Sequence, residues 1–169
     1  MNSKSVDIRQ NLLVDRLAEL GPGTPNMAVK PLLAGLTPED VVPGHTNPAM
    51  ARACLSALWL LHDFLDESHT ISQEIDTPTG SYWHGIMHRR EPDAFNSKYW
   101  FRQAGNHPVL AQLREKAPTV GYQFTDPFAF IDFVERVRDT GNPDEETAKR
   151  VQFLEWRLLF DWCQREAAK

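Results

Sequence analysis

Proline follows a helix-capping side chain at Asn47-Pro48, Asp126-Pro127 and Asn142-Pro143, and His107-Pro108 repeats the arrangement. An Asn or Asp side chain accepts hydrogen bonds from the free N–H groups of a first helical turn. Proline there gives up an N–H that has no partner anyway. These pairs therefore predict helix starts, with helices over about 48–72, 108–116, 127–139 and 143–167. Further helices are expected over about 3–20, with Val6, Leu13, Leu17 and Leu20 on one side and GPGTP as the stop, and near 30–34. Thr37-Pro38-Glu39-Asp40 reads as a turn, and Asp76 to Ser81 as a turn-rich connection before a helix over 82–90 that Pro92 ends. Asn96 is the expected cap of a helix through 103. No alternating β-branched run is long enough for a strand. The expected fold is all-α: one compact helical bundle over residues 1–169 with proline-rich connecting loops.

Composition narrows the classes of function. The chain is 41% hydrophobic with five Trp and nine Phe, which supplies a core. Its net charge of −5 argues against a nucleic-acid protein that works by bulk charge. Two cysteines, Cys54 and Cys163, are too few for a disulfide scaffold or a four-thiolate zinc site, and both read as small core residues. No uncharged apolar run of about 18 residues is present, so no membrane partner is expected, and the cytoplasm is the expected compartment.

The last helix carries two apolar stripes, Val151, Leu154, Leu158 and Trp162 on one side and Phe153, Trp156, Phe160 and Cys163 on the other. A helix apolar on two sides is buried on two sides. It is either the central helix of the bundle or the seam of a homodimer.

Five of the six histidines, His62, His69, His84, His88 and His107, fall between Leu61 and Pro108. With His62 as zero on a continuous helix, Leu58 lies at about −40°, Leu55 at about +20° and Leu65 at about −60°, so His62 sits within the apolar stripe. Asp66 and His69 extend the same line. On the next helix His84 and His88 share a face, and Glu91 follows one turn later. Two facing helices bearing such groups can assemble a site for zinc, iron, manganese or nickel, because each imidazole or carboxylate supplies a lone pair. The same residues could instead form a buried hydrogen-bonded network without metal, or a single histidine could act as an acid–base catalyst. Asp63 and Glu67 form a second pair, readable as a solvated flank or as carboxylates that orient a ligand histidine.

Charge is unevenly distributed: residues 81–116 carry six Lys/Arg against three Asp/Glu, whereas both flanks are acidic. Tyr82, Trp83, Tyr99, Trp100 and Phe101 are interleaved with these bases. Arg89, Lys98, Arg102 and Trp100 are the expected receptors of a small anionic ligand, since arginine can clamp a carboxylate or phosphate beside a stacking ring. In the other reading the aromatics are core and the bases pair with the acidic flanks.

The block over about 59–108, above all HDFLDESHTISQ and SYWHGIMHRREPDAFNSKYWFRQAGNHP, resembles a family of uncharacterised bacterial and fungal hypothetical proteins and covers about a third of the chain. That resemblance implies no role for any residue. The chain is also similar to DinB/YfiT-like helical bundles, which hold a divalent metal with one histidine from one helix and His-x-x-x-His from another. This similarity implies His62, His84 and His88 as ligands, with Asp66, His69 or Glu91 completing the set. The resulting expectation is a metal-dependent hydrolase or transferase acting on a small anionic substrate. The alternative is a non-catalytic, dimeric interaction protein with a structural His/Asp network.

Overall fold

A computed structural model describes residues 8–169, and the expected helical residues 3–7 lie outside that range. Among the described residues the chain is all-α, without strands. A π-helical turn at Ile8–Leu12 is followed by α1 (Lys30–Ala34), α2 (Pro38–Val41), α3 (Pro48–Leu61), α4 (Leu65–Ser72), α5 (Pro78–Arg90) and α6 (Ala94–Ala104). Helices α7 (Pro108–Lys116), α8 (Pro127–Val137) and α9 (Pro143–Ala167) complete the bundle, with a 3-10 turn at Ala117–Val120. The capping signals act as anticipated: Asn47, Asp126 and Asn142 accept from Met50, Ala129 and Glu145 N–H groups, and the His107 ring accepts from Val109 N–H.

Two turn assignments prove to be helix starts. Thr37 forms a capping box with Asp40 and opens α2. Thr77 caps α5 through Gly80 N–H, so α5 begins at Pro78 and not at Tyr82. The α6 cap is Asp93, whose side chain accepts from both the backbone N–H and side-chain amide of Asn96.

Larger departures affect the first and third predicted helices. From Leu13 to Leu20 the chain is irregular and lies along α9. Asp15 pairs with Arg157, Glu19 pairs with Lys149, and the Glu19 carbonyl accepts from Gln152. Four residues here keep pace with eight in α9. Eight helical residues rise about 12 Å and four extended residues about 13 Å, whereas four helical residues would span only about 6 Å. The segment therefore has to be extended to keep these partners. It also covers the Phe153, Trp156 and Phe160 stripe, because Leu13, Val14 and Asp15 line a small cleft together with those rings. The second apolar face of α9 is thus packed within the chain, with Trp156 and Phe160 buried. Trp156 of the same stripe also donates its indole N–H to the Ala57 carbonyl of α3, and α9 makes further contacts with α7 and α8.

The helix expected over 48–72 is broken. His62 caps α3, Asp63 has φ +65°, and α4 starts anew at Leu65. Asp63 is buried and is no solvated flank: its carboxylate accepts from Arg90 at 2.5 Å and also meets Arg16. Arg90 is itself buried and donates to the carbonyls of Gly21, Pro22 and Leu60. A left-handed residue is tolerated here because both arginines hold its side chain, and Gly23 leaves room, since a Cβ there would come within 2.7 Å of the Asp63 carboxyl.

Candidate metal centre

Helix α4 packs against α5, and α5 makes its most extensive contact with α6. Gly85 explains the close approach of α6. A Cβ at Gly85 would meet the Phe101 ring at 2.8 Å, and the Gly85 carbonyl accepts from Ser97 Oγ at 2.7 Å. The small residue in His84-Gly85-Ile86-Met87-His88 therefore serves helix packing, and it also brings Trp100 over the histidines.

His69 from α4 and His84 and His88 from α5 converge, with one nitrogen from each lying within 4.8 Å of the others. The His69 ring centroid is 4.6 Å from that of His84 and 5.3 Å from that of His88, while His84 and His88 stack at 4.8 Å. Trp100 stacks on the other face of His84 at 4.0 Å, 18° from parallel. Both ring nitrogens of His84 are buried without a hydrogen-bond partner. An unpaired buried polar group is costly. His88 Nδ1 lies 3.0 Å from Glu91 Oε2 but makes no aligned hydrogen bond.

Burial, reinforced by His88 and His69, lowers the pKa of His84 to about 3. Burial also lowers that of His88, with Glu91 pulling the other way. Near neutral pH the pair therefore offers lone pairs, the state that metal binding requires. The donor set suits zinc or another divalent ion. Nitrogens around a tetrahedral zinc sit about 3.3 Å apart, which small side-chain rotations would reach from the present separations.

His62 does not join this group. It sits at the helix break, where Nδ1 faces the Asn26 amide at 3.3 Å and Nε2 faces the Leu12 carbonyl at 3.0 Å. With both nitrogens bonded, its role is to fasten the N-terminal segment. The positional extrapolation from His62 to His69 failed because Asp63 ends one helical phase and Leu65 starts another. Asp66 is exposed and Glu91 borders the group through His88 Nδ1, but neither supplies one of the three mutually close atoms, and both line a neighbouring cleft.

The expected anion receptors are dispersed. Arg89 is wholly buried and donates to Glu155 at 2.6 Å, with its guanidinium over the Phe130 ring. Tyr82 O–H donates to the other Glu155 oxygen. Lys98 pairs with Asp132 on α8. Arg102 lines a separate cleft with Asn106, Arg114 and Phe128. Of the four, only Trp100 reaches the histidines, so no common anion site forms from this set.

Sequence reasoning missed the cleft beside the histidines. It holds about 620 Å³ and is lined by Met27, Lys30 and Phe64 as well as by carboxylates from α4 and the α5–α6 turn. The only local signal was the spacing of Asp66 to His69 and of His88 to Glu91, one helical turn in each case. Among the described residues, no helix is long and apolar enough to cross a membrane. The chain matches no protein-family model, no curated protein and no solved structure.

Proposed function

We propose that the protein is a metal-dependent enzyme of the hydrolase or transferase type, with His69, His84 and His88 as the ligands of one divalent ion, zinc foremost. The observation that carries this reading is the convergence of three imidazoles around His84, whose two nitrogens are buried and unpartnered. Three neutral nitrogen ligands would leave room for water or substrate, and a divalent ion held there would lower the pKa of a water or polarise a substrate oxygen. Glu91, close to His88 Nδ1, would keep the proton on that nitrogen and leave Nε2 as the ligand atom. Trp100 would shield one side from water. One histidine from one helix with His-x-x-x-His from the next is also the arrangement implied by the similarity to DinB/YfiT-like bundles, with His69 in the role expected of His62.

The competing reading is a non-catalytic structural network. It needs the histidines to satisfy one another, and the unpaired His84 nitrogens disfavour it. Elemental analysis and zinc titration of protein prepared without an affinity tag test the proposal. One equivalent of metal is expected, with affinity falling at least 100-fold in His84→Ala and His69→Ala. Equal affinity in the wild type and both variants would overturn it.

A further inference from the structure

Helix α6 buries Ser97, Phe101 and Ala104 against its neighbours. Its outer side carries Phe95, 78% exposed, and Tyr99, 44% exposed, the two exposed aromatic side chains among the described residues. They lie one turn apart on one face, and Arg102 falls within about 60° of both. A lone exposed apolar residue needs no explanation, whereas a bare aromatic pair with an ordered surround does.

The surround is self-complementary. From position 91 to position 103 the exposed residues are Glu91, Pro92, Phe95, Tyr99, Arg102 and Gln103. That set is symmetric about Ser97: position 91 mirrors 103, 92 mirrors 102 and 95 mirrors 99. A second copy laid antiparallel across a twofold axis at Ser97 therefore meets exposed residues with exposed residues at every level. Charge follows the same symmetry. The start of the face is acidic, and Glu91 and Asp93 contact His88 and Asn96 without a Lys or Arg partner among the described residues. The end is basic, and Arg102 has no ion pair or hydrogen bond among the described residues. Arg102 stands about 7.5 Å from the axis, level with the opposing turn that carries Glu91 and Asp93. A parallel arrangement would set like charges together. Twofold association requires one patch that fits itself, and a dissimilar partner would give no reason for this symmetry.

We infer that the chain forms a weak homodimer through α6, antiparallel about Ser97. Phe95 packs on the partner's Tyr99, and Arg102 meets the partner's Glu91 and Asp93. One helix face is a small interface, so a Kd on the order of 100 μM is expected. The pairing also covers Tyr99 where it packs edge-on to Trp100 at 5.2 Å, so the second copy closes the outer side of the aromatic wall over His84. The association does not depend on the metal reading.

Sedimentation equilibrium from about 10 μM to about 1 mM, a range that brackets a small interface, should show a mass rising from 19.3 kDa toward twice that value. Phe95→Asp and Arg102→Glu alter exposed positions only. Both should keep the wild-type melting temperature and weaken association at least 10-fold, the first by burying a charge and the second by facing acid with acid. A mass fixed at 19.3 kDa across the range would overturn the inference, as would association unchanged in both variants. Loss in Phe95→Asp with Arg102→Glu unaffected would overturn the antiparallel register, and the inference with it.

Discussion

Arg90 donates to Asp63 at 2.5 Å inside the protein, and this contact determines where the histidines can meet. Asp63 occupies the left-handed residue between α3 and α4. The same guanidinium reaches the Leu60 carbonyl at the end of α3 and the Gly21 and Pro22 carbonyls of the N-terminal segment. One buried ion pair therefore sets the phase of α4, and with it the direction of His69. It also leaves His62 beside the N-terminal segment, one helix phase away from the triad.

His62→Ala should keep its metal. Its two ring contacts hold Leu12 and Asn26, so the substitution removes fastening for the N-terminal segment. A loss of about 1–3 kcal/mol in stability is expected, with zinc affinity within about threefold of the wild type. Urea unfolding and zinc titration on the same preparation give both quantities. A complete loss of metal without loss of stability would return His62 to the ligand set.

Gly85→Ala should loosen the site without touching a ligand. The added methyl meets the Phe101 ring, so α6 must shift and carry Trp100 off His84. Overpacking of this kind costs about 1–3 kcal/mol. Trp100 fluorescence should change along with the melting temperature. Unaltered emission and stability would show that α6 yields freely.

Arg89 is a structural residue, and a double-substitution cycle should show it. Arg89→Met alone leaves Glu155 buried and unmatched apart from Tyr82, at a cost of about 3–5 kcal/mol. Arg89→Met combined with Glu155→Leu should recover most of that loss, because an apolar pair can replace a buried ion pair. Two additive losses would contradict this account.

Stability should fall as the solution is acidified from pH 6.5 toward 4. His107 is buried, and its Nδ1 accepts from Val109 N–H, so Nε2 carries the proton given to Thr79 Oγ1. Burial lowers its folded pKa from 6.5 to about 4, and burial lowers those of His62, His84 and His88 as well. Between these limits the unfolded chain binds a proton that the folded chain refuses, so unfolding gains as pH drops. The effect should reach about 1–3 kcal/mol. Asp93 and Glu145, whose pKa values are lowered by hydrogen bonds, add their losses only in the carboxylate range below. Urea midpoints across pH 7 to 4 test this, and His107→Asn should flatten the slope. A midpoint that rises on acidification would refute it.

The helix starts at Pro48, Pro108, Pro127 and Pro143 were legible in the chain because a cap and its N–H partner lie within four residues. Local chemistry of that kind needs no knowledge of the fold, and it also yields the all-α class. His84 and His88 share a face for the same reason, being one turn apart on a single helix. The break at Asp63, the extended path of residues 13–20 and the choice of His69 over His62 depend on partners far along the chain. Asp63 must find Arg90 27 residues later, and Glu19 must find Lys149 across nearly the whole sequence. Arg89 looked like a ligand-binding base because its charge is visible in the sequence, whereas its burial against Glu155 is not. A helical period can be extrapolated only while every residue keeps the same backbone angles. Here one residue at φ +65°, held by a buried arginine, reset the phase and chose the triad.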